Sequence, residues 1–127
     1  MLTASSVGDL HRMTGRYAIW LLGLVGVWGL ALAVWRREPG RPFGVGFGVA
    51  TVAVLAQVGL GLWARAAGDV EPGGQHMFYG IVIVFTLAFA YIYRSQMARR
   101  PALAYGVLAL FLMGLGMRAI ANFGQDL

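Results

Sequence analysis

The sequence predicts an all-α integral membrane four-helix bundle, and three observations lead there. Four apolar runs, over residues 14–36, 43–65, 76–94 and 102–119, each come close to the roughly 20 residues that a helix needs to cross a hydrocarbon core. The stretches between them collect arginine, proline and glycine, which is how loops punctuate membrane helices. Charge is also scarce: 12% of residues are charged and the mean hydropathy is +0.70, where a soluble domain carries about 25% charged residues. At 127 residues the chain makes one membrane domain.

The first ten residues form a short polar lead in which Ser5, Ser6 or Asp9 is placed to cap the helix that follows. In the first span Gly23, Gly26 and Gly29 recur every third residue, a smooth stripe on which another helix can approach closely. Arg36, Arg37, Glu38, Pro39, Gly40, Arg41 and Pro42 end it with charge and helix breakers. The second span is thinned by Gly44, Gly46, Gly48, Gly59 and Gly61, and is interrupted by Gln57 two turns from its far end. A buried amide in lipid must be hydrogen-bonded, so Gln57 is expected to face the bundle interior. The third span opens directly after His76 and closes on the interfacial aromatics Tyr91 and Tyr93. A basic loop with Arg94, Arg99, Arg100 and Pro101 leads to the fourth span, expected to be the shortest, which ends at Arg118.

The formal charge is +5, and all ten basic residues are arginine. Nucleic acid is not needed to explain that balance, because six of the ten arginines fall in the loops after spans one and three, accompanied by Glu38 alone among the acids. The opposite face carries Arg12, Arg16, Arg65 and Arg118, offset by Asp9, Asp69, Glu71 and Asp126. By the positive-inside rule, both termini and both histidines face the outside of the cytoplasmic membrane. The absence of cysteine excludes disulfides, thiolate metal sites and a cysteine nucleophile. No cleavable leader is expected, because the first apolar run follows Arg12 and Arg16 and lacks a small-residue cleavage pattern.

Two helical hairpins read alike. His11, Gly15, Pro42, Gly59-Leu60-Gly61 and Arg65 in the first correspond to His76, Gly80, Pro101, Gly114-Leu115-Gly116 and Arg118 in the second. Two-helix repeats of the same orientation are related by an axis along the membrane normal. Such an axis sets helices one and three diagonally, with His11 and His76 facing each other at one depth.

These are the chain's only histidines. Two neutral imidazoles on opposite sides of one iron, each on a rigid element, are what a bis-histidine b-type haem requires. Residues four apart share a helix face, so Gly15 and Gly80 leave room for a flat macrocycle one turn below their histidines. Arg12, Arg16, Arg65 and Arg118 lie on the histidine side, where haem propionates need cationic donors, and Gln57 adds a hydrogen bond. The iron ligands are therefore His11 and His76, and the wider cofactor site is Gly15, Gly80, Arg12, Gln57, Arg65 and Arg118. An interfacial histidine also serves as a simple amphipathic anchor, so the alternative is a non-haem structural or assembly subunit. Met13, Met77 and Met117 lie near the same face, and thioether with imidazole suits copper, a minor alternative. Phe78 and Tyr79 flank His76 and are placed to pack on a porphyrin, although aromatic packing within the bundle is the ordinary role.

Over residues 10–80 the sequence resembles the haem A synthases. The pieces that carry the likeness are His11-Arg12 with Gly15 after it, Gln57-Val58-Gly59-Leu60-Gly61 near the outer end of the next helix, and His76-Met77 opening the third. Those enzymes have eight helices, in two four-helix halves that bind haem b through paired histidines near the outer surface. The resemblance implies one such half, with His11 and His76 as axial ligands and Arg12 as their motif neighbour. The chain departs from the family in having four spans and no cysteine pair, and in Gly8 standing where a glutamate precedes the His-Arg pair. It therefore implies a haem-binding half-module rather than oxidation of a haem methyl group.

No acid–base or nucleophile–base pair is apparent, so independent catalysis is not expected, and any enzymatic role would be as a subunit of an oxidoreductase complex. The function expected is electron transfer or haem handling by a cytochrome b-like membrane subunit holding one haem b between helices one and three. Expected partners are membrane lipid, other membrane subunits or further copies of the chain, and a quinone or periplasmic electron carrier.

Overall fold

A computed structural model describes residues 4–68 and 73–123, with side chains from residue 10 onward. The elements are α1 (Ala4–Val34), α2 (Gly40–Ala66), α3 (Gly73–Ile92), the single turn α4 (Arg94–Met97) and α5 (Pro101–Ala121), with no strand among the described residues. The four long helices are each long and apolar enough to cross a membrane, so the protein is membrane-embedded and all-α. Large apolar side chains such as Trp20 and Val34, 71% and 77% exposed, face outward, as they do where the surrounding solvent is lipid.

Several boundaries differ from the sequence reading. Because α1 already runs from Ala4, Ser5, Ser6 and Asp9 lie within the helix and none is its cap. α3 begins at Gly73 rather than after His76, since the positive φ of Gly73 (82°) turns the chain into the helix four residues earlier. The basic loop before the fourth span contains the extra turn α4, and α3, at 20 residues, is shorter than α5 at 21. The acids Asp69, Glu71 and Asp126, part of the charge asymmetry, lie outside the described residues.

The packing order follows the glycines. α1 and α5 form the central pair, α2 packs along α1, α3 packs along α5, and α2 and α3 barely meet. At the α1–α5 crossing, a Cβ on Gly29 would lie 2.7 Å from Gly106 Cα, and one on Gly26 2.6 Å from Leu110 Cγ. Only side-chain-free positions allow such an approach, and in a bilayer this close van der Waals contact supplies much of the attraction between helices. Leu22 and Leu112, both fully buried, fill the core beside the crossing. Gly44, Gly48 and Gly59 of α2, by contrast, meet nothing within 4 Å.

The expected diagonal placement of helices one and three is therefore present, with both flanking α5. The repeat's equivalence is not: a twofold would make α2–α3 match α1–α5, yet one pair is tight and the other open. The difference lies in the glycines, which meet across α1–α5 and have no counterpart across α2–α3.

Candidate functional site

The open side leaves a cavity of about 620 Å³ between the four long helices, at the end where α1 and α3 begin. That volume is in the range of small-molecule and cofactor pockets, about 300–1,000 Å³. His11 and His76 both line it, with ring centroids 6.1 Å apart and planes at 85°. Metal–imidazole bonds are about 2 Å, and the nitrogen of a five-membered ring with bonds of about 1.3 Å lies roughly 1 Å from the ring centre. Two imidazoles sharing one metal would have centroids about 6 Å apart, and the pair found here, an edge-on ring contact, has room for that.

Each ring is set by a different device. His76 Nδ1 donates to the Ala119 carbonyl oxygen over 2.6 Å. A carbonyl can only accept, so Nδ1 carries the proton of the neutral ring and Nε2 keeps a lone pair for a metal. Phe123 stands edge-on to the same ring at 5.0 Å. His11 is seated by absence: Gly61 of α2 has no side chain, and a Cβ there would lie 3.0 Å from His11 Cε1. Its Nδ1 is buried without a hydrogen-bond partner among the described residues, a costly state for a polar nitrogen.

Beside His11, Thr14 donates its hydroxyl proton to the Leu10 carbonyl oxygen over 2.6 Å, and so accepts from Gln57 Nε2. With the amide nitrogen committed in that direction, Gln57 Oε1 is left buried and unpartnered. The amide packs over Gly15, whose Cβ would lie 3.3 Å from Oε1. Gly15 thus makes room for Gln57 as well as for the cavity, whereas a Cβ on Gly80 would meet nothing within 4 Å.

Of the residues expected at the site, His11, His76, Gly15, Gly80, Arg12 and Gln57 line the cavity, and Arg16 joins them. Arg65 and Arg118 do not: both are exposed and stand off it. Their neighbours Ala64 and Ala119, 0% and 7% exposed, hold the inward positions, and one residue along a helix is a turn of about 100° to the outside. Phe78 and Tyr79 pair with each other at 5.5 Å and do not line the cavity either. Among the methionines near this end, Met77 lines it, while Met13 and Met117 are 63% and 53% exposed.

Three contributors escaped the sequence reading. Thr14, three residues after His11, carried a signal in its spacing, and Gly61 carried one in the repeated Gly-Leu-Gly. The Ala119 carbonyl is backbone and leaves no trace in residue type.

Among the described residues no group of three or more His, Cys, Asp or Glu converges on a point. Two imidazoles leave a bare transition-metal ion short of ligands, whereas a macrocycle brings four nitrogens of its own. The oriented His76 ring and the clear space at Gly80 fit such a group. No family model matches the chain, and no curated protein or solved structure matches it.

Proposed function

We propose that this chain is a b-type cytochrome-like membrane subunit that holds one haem between α1 and α3, with His11 and His76 as the residues that would hold its iron and the site near the outer face. The single observation that carries the reading is the meeting of the chain's only two histidines, ring centroids 6.1 Å apart, on the wall of a cofactor-sized cavity. When bound, haem supplies a one-electron redox couple, which suits electron transfer or haem handling within a larger membrane assembly.

The protein's share is binding and tuning. The Ala119 carbonyl holds His76 in one tautomer and raises the basicity of its Nε2. Gly61 gives the His11 ring its seat. Leu22, Val54, Ile83 and Leu112 wall the deep part of the cavity with hydrocarbon and keep water from it. Arg12 and Arg16, on its exposed lining, offer guanidiniums to propionates.

Absorption spectroscopy tests this. The purified chain, loaded with haemin, should show a Soret band and sharp α/β bands on reduction. His11→Ala and His76→Ala should each abolish that six-coordinate low-spin spectrum while keeping the helical circular dichroism. A protein that stays colourless with excess haemin, or a variant with an unchanged spectrum, overturns the assignment.

A further inference from the structure

At the end of the bundle away from the histidines, a second cavity of about 420 Å³ opens between the α1–α2 connection and the start of α5. Arg36, Arg37, Arg99 and Arg100 line it, and among the described residues Glu38 is the only acid on its wall, so that lining carries a net charge of +3. These arginines come from two loops far apart in sequence, brought together by the tight α1–α5 crossing. The floor is different in character: Val34, 77% exposed, and Leu103, 37% exposed, continue the basic rim with apolar surface that runs along the helices toward the bilayer core.

A topology signal requires only positive charge somewhere in these loops. It does not require four arginines lining one concavity with a hydrocarbon side. Arg41, on the same face, satisfies the topology role from outside the pocket. Guanidiniums match phosphate oxygens in a bidentate way, and the first-turn amides of α5, at Ala102 and Leu103 of the lining, add donors with no partner within their own helix. Phosphate at the rim with acyl chains on the floor is the chemistry of a lipid at the membrane interface.

We propose that this pocket is a specific site for the headgroup of an anionic phospholipid, best filled by a lipid that carries two phosphates. One guanidinium pair faces each phosphate, and the acyl chains lie along Val34 and Leu103. The site is independent of haem and lies at the opposite end of the bundle.

The test uses the full chain in neutral detergent, with cardiolipin, phosphatidylcholine or inorganic phosphate added, read by native mass spectrometry and by the thermal midpoint. Cardiolipin should give one retained adduct per chain and raise the midpoint, while phosphatidylcholine and phosphate should do neither. Arg37→Gln/Arg100→Gln should weaken cardiolipin binding about thirtyfold, the loss expected for two guanidiniums at a lipid surface. Arg41→Gln, which removes one charge from the same face but stands outside the pocket, should cost clearly less than Arg99→Gln. Arg99→Gln is the independent single variant, with about fivefold loss expected. If inorganic phosphate alone raised the midpoint as much, the pocket would serve a soluble anion. If Arg41→Gln cost as much as Arg99→Gln, the charges would act only through the surface potential. Either result overturns the proposal, as does an Arg37/Arg100 variant that keeps its lipid-free midpoint and still binds cardiolipin normally.

Discussion

Replacing Gly61 with alanine is the sharpest perturbation of the histidine site, because it changes neither histidine nor charge. The new methyl carbon would lie 3.0 Å from Cε1 and 3.3 Å from Nε2 of His11, where ordinary contact begins at 3.4 Å. The imidazole must therefore retreat by about 0.4 Å, the difference between those distances. The ring is the end of a side chain, so α1 need not move and the fold should survive. Ligation depends on direction as well as distance, and disturbing the groups that orient a metal-bound histidine commonly costs 10–100-fold in affinity, or about 1.4–2.8 kcal/mol. Haem affinity should fall by that factor in a Soret titration of the detergent-solubilised apoprotein. Gly59→Ala is the matched control: same helix, same chemistry, nothing within 4 Å of the added carbon. If the two variants titrate alike, Gly61 does not seat His11 and the geometric account of that ligand is wrong.

Two further outcomes concern the frame that carries the site. Gly106→Ala would place its Cβ 3.0 Å from Leu30 N and 3.1 Å from both Gly26 O and Gly29 C. All three are backbone atoms, so α1 and α5 must separate, and unfolding in graded denaturing detergent should show about 1–3 kcal/mol of lost stability; an unchanged midpoint would mean the helices do not cross there. Arg36→Gly should stabilise. Arg36 has φ 54°, and Arg36 N and Arg37 N donate to Ala33 O and Leu32 O, closing the end of α1 in the arrangement that glycine normally occupies. Relief of a left-handed penalty of about 1–2 kcal/mol, less the extra unfolded-state entropy of glycine, about 0.5–1 kcal/mol, leaves a gain of up to about 1.5 kcal/mol. A lower midpoint by thermal circular dichroism would refute that end geometry.

What could be read from the sequence divides along physical lines. The four membrane helices were legible because hydropathy acts residue by residue: lipid selects long apolar runs whatever they later pack against. The stripe of Gly23, Gly26 and Gly29 predicted a close helix neighbour, and α5 is that neighbour. It could not name the partner, which depends on Gly106 arriving opposite Gly29. Helix ends were read less well, since Ser5 and Asp9 look like caps wherever they stand and a glycine start such as Gly73 resembles any loop glycine.

The same division runs through the site. By itself, the sequence determined that the chain crosses the bilayer as four helices, that two lone histidines sit near one end of two of them, and that Gln57 must face inward, because each follows from local composition and the cost of polar groups in lipid. Only the tertiary structure decided that the two rings meet edge-on with centroids 6.1 Å apart, that Gly61 seats one while the Ala119 carbonyl orients the other, and that Arg65 and Arg118 stand outside the cavity. Those outcomes depend on the rotation of each helix about its own axis. Packing between helices sets that rotation, for α1 and α5 at their glycine crossing, and residue type along a single helix does not contain it.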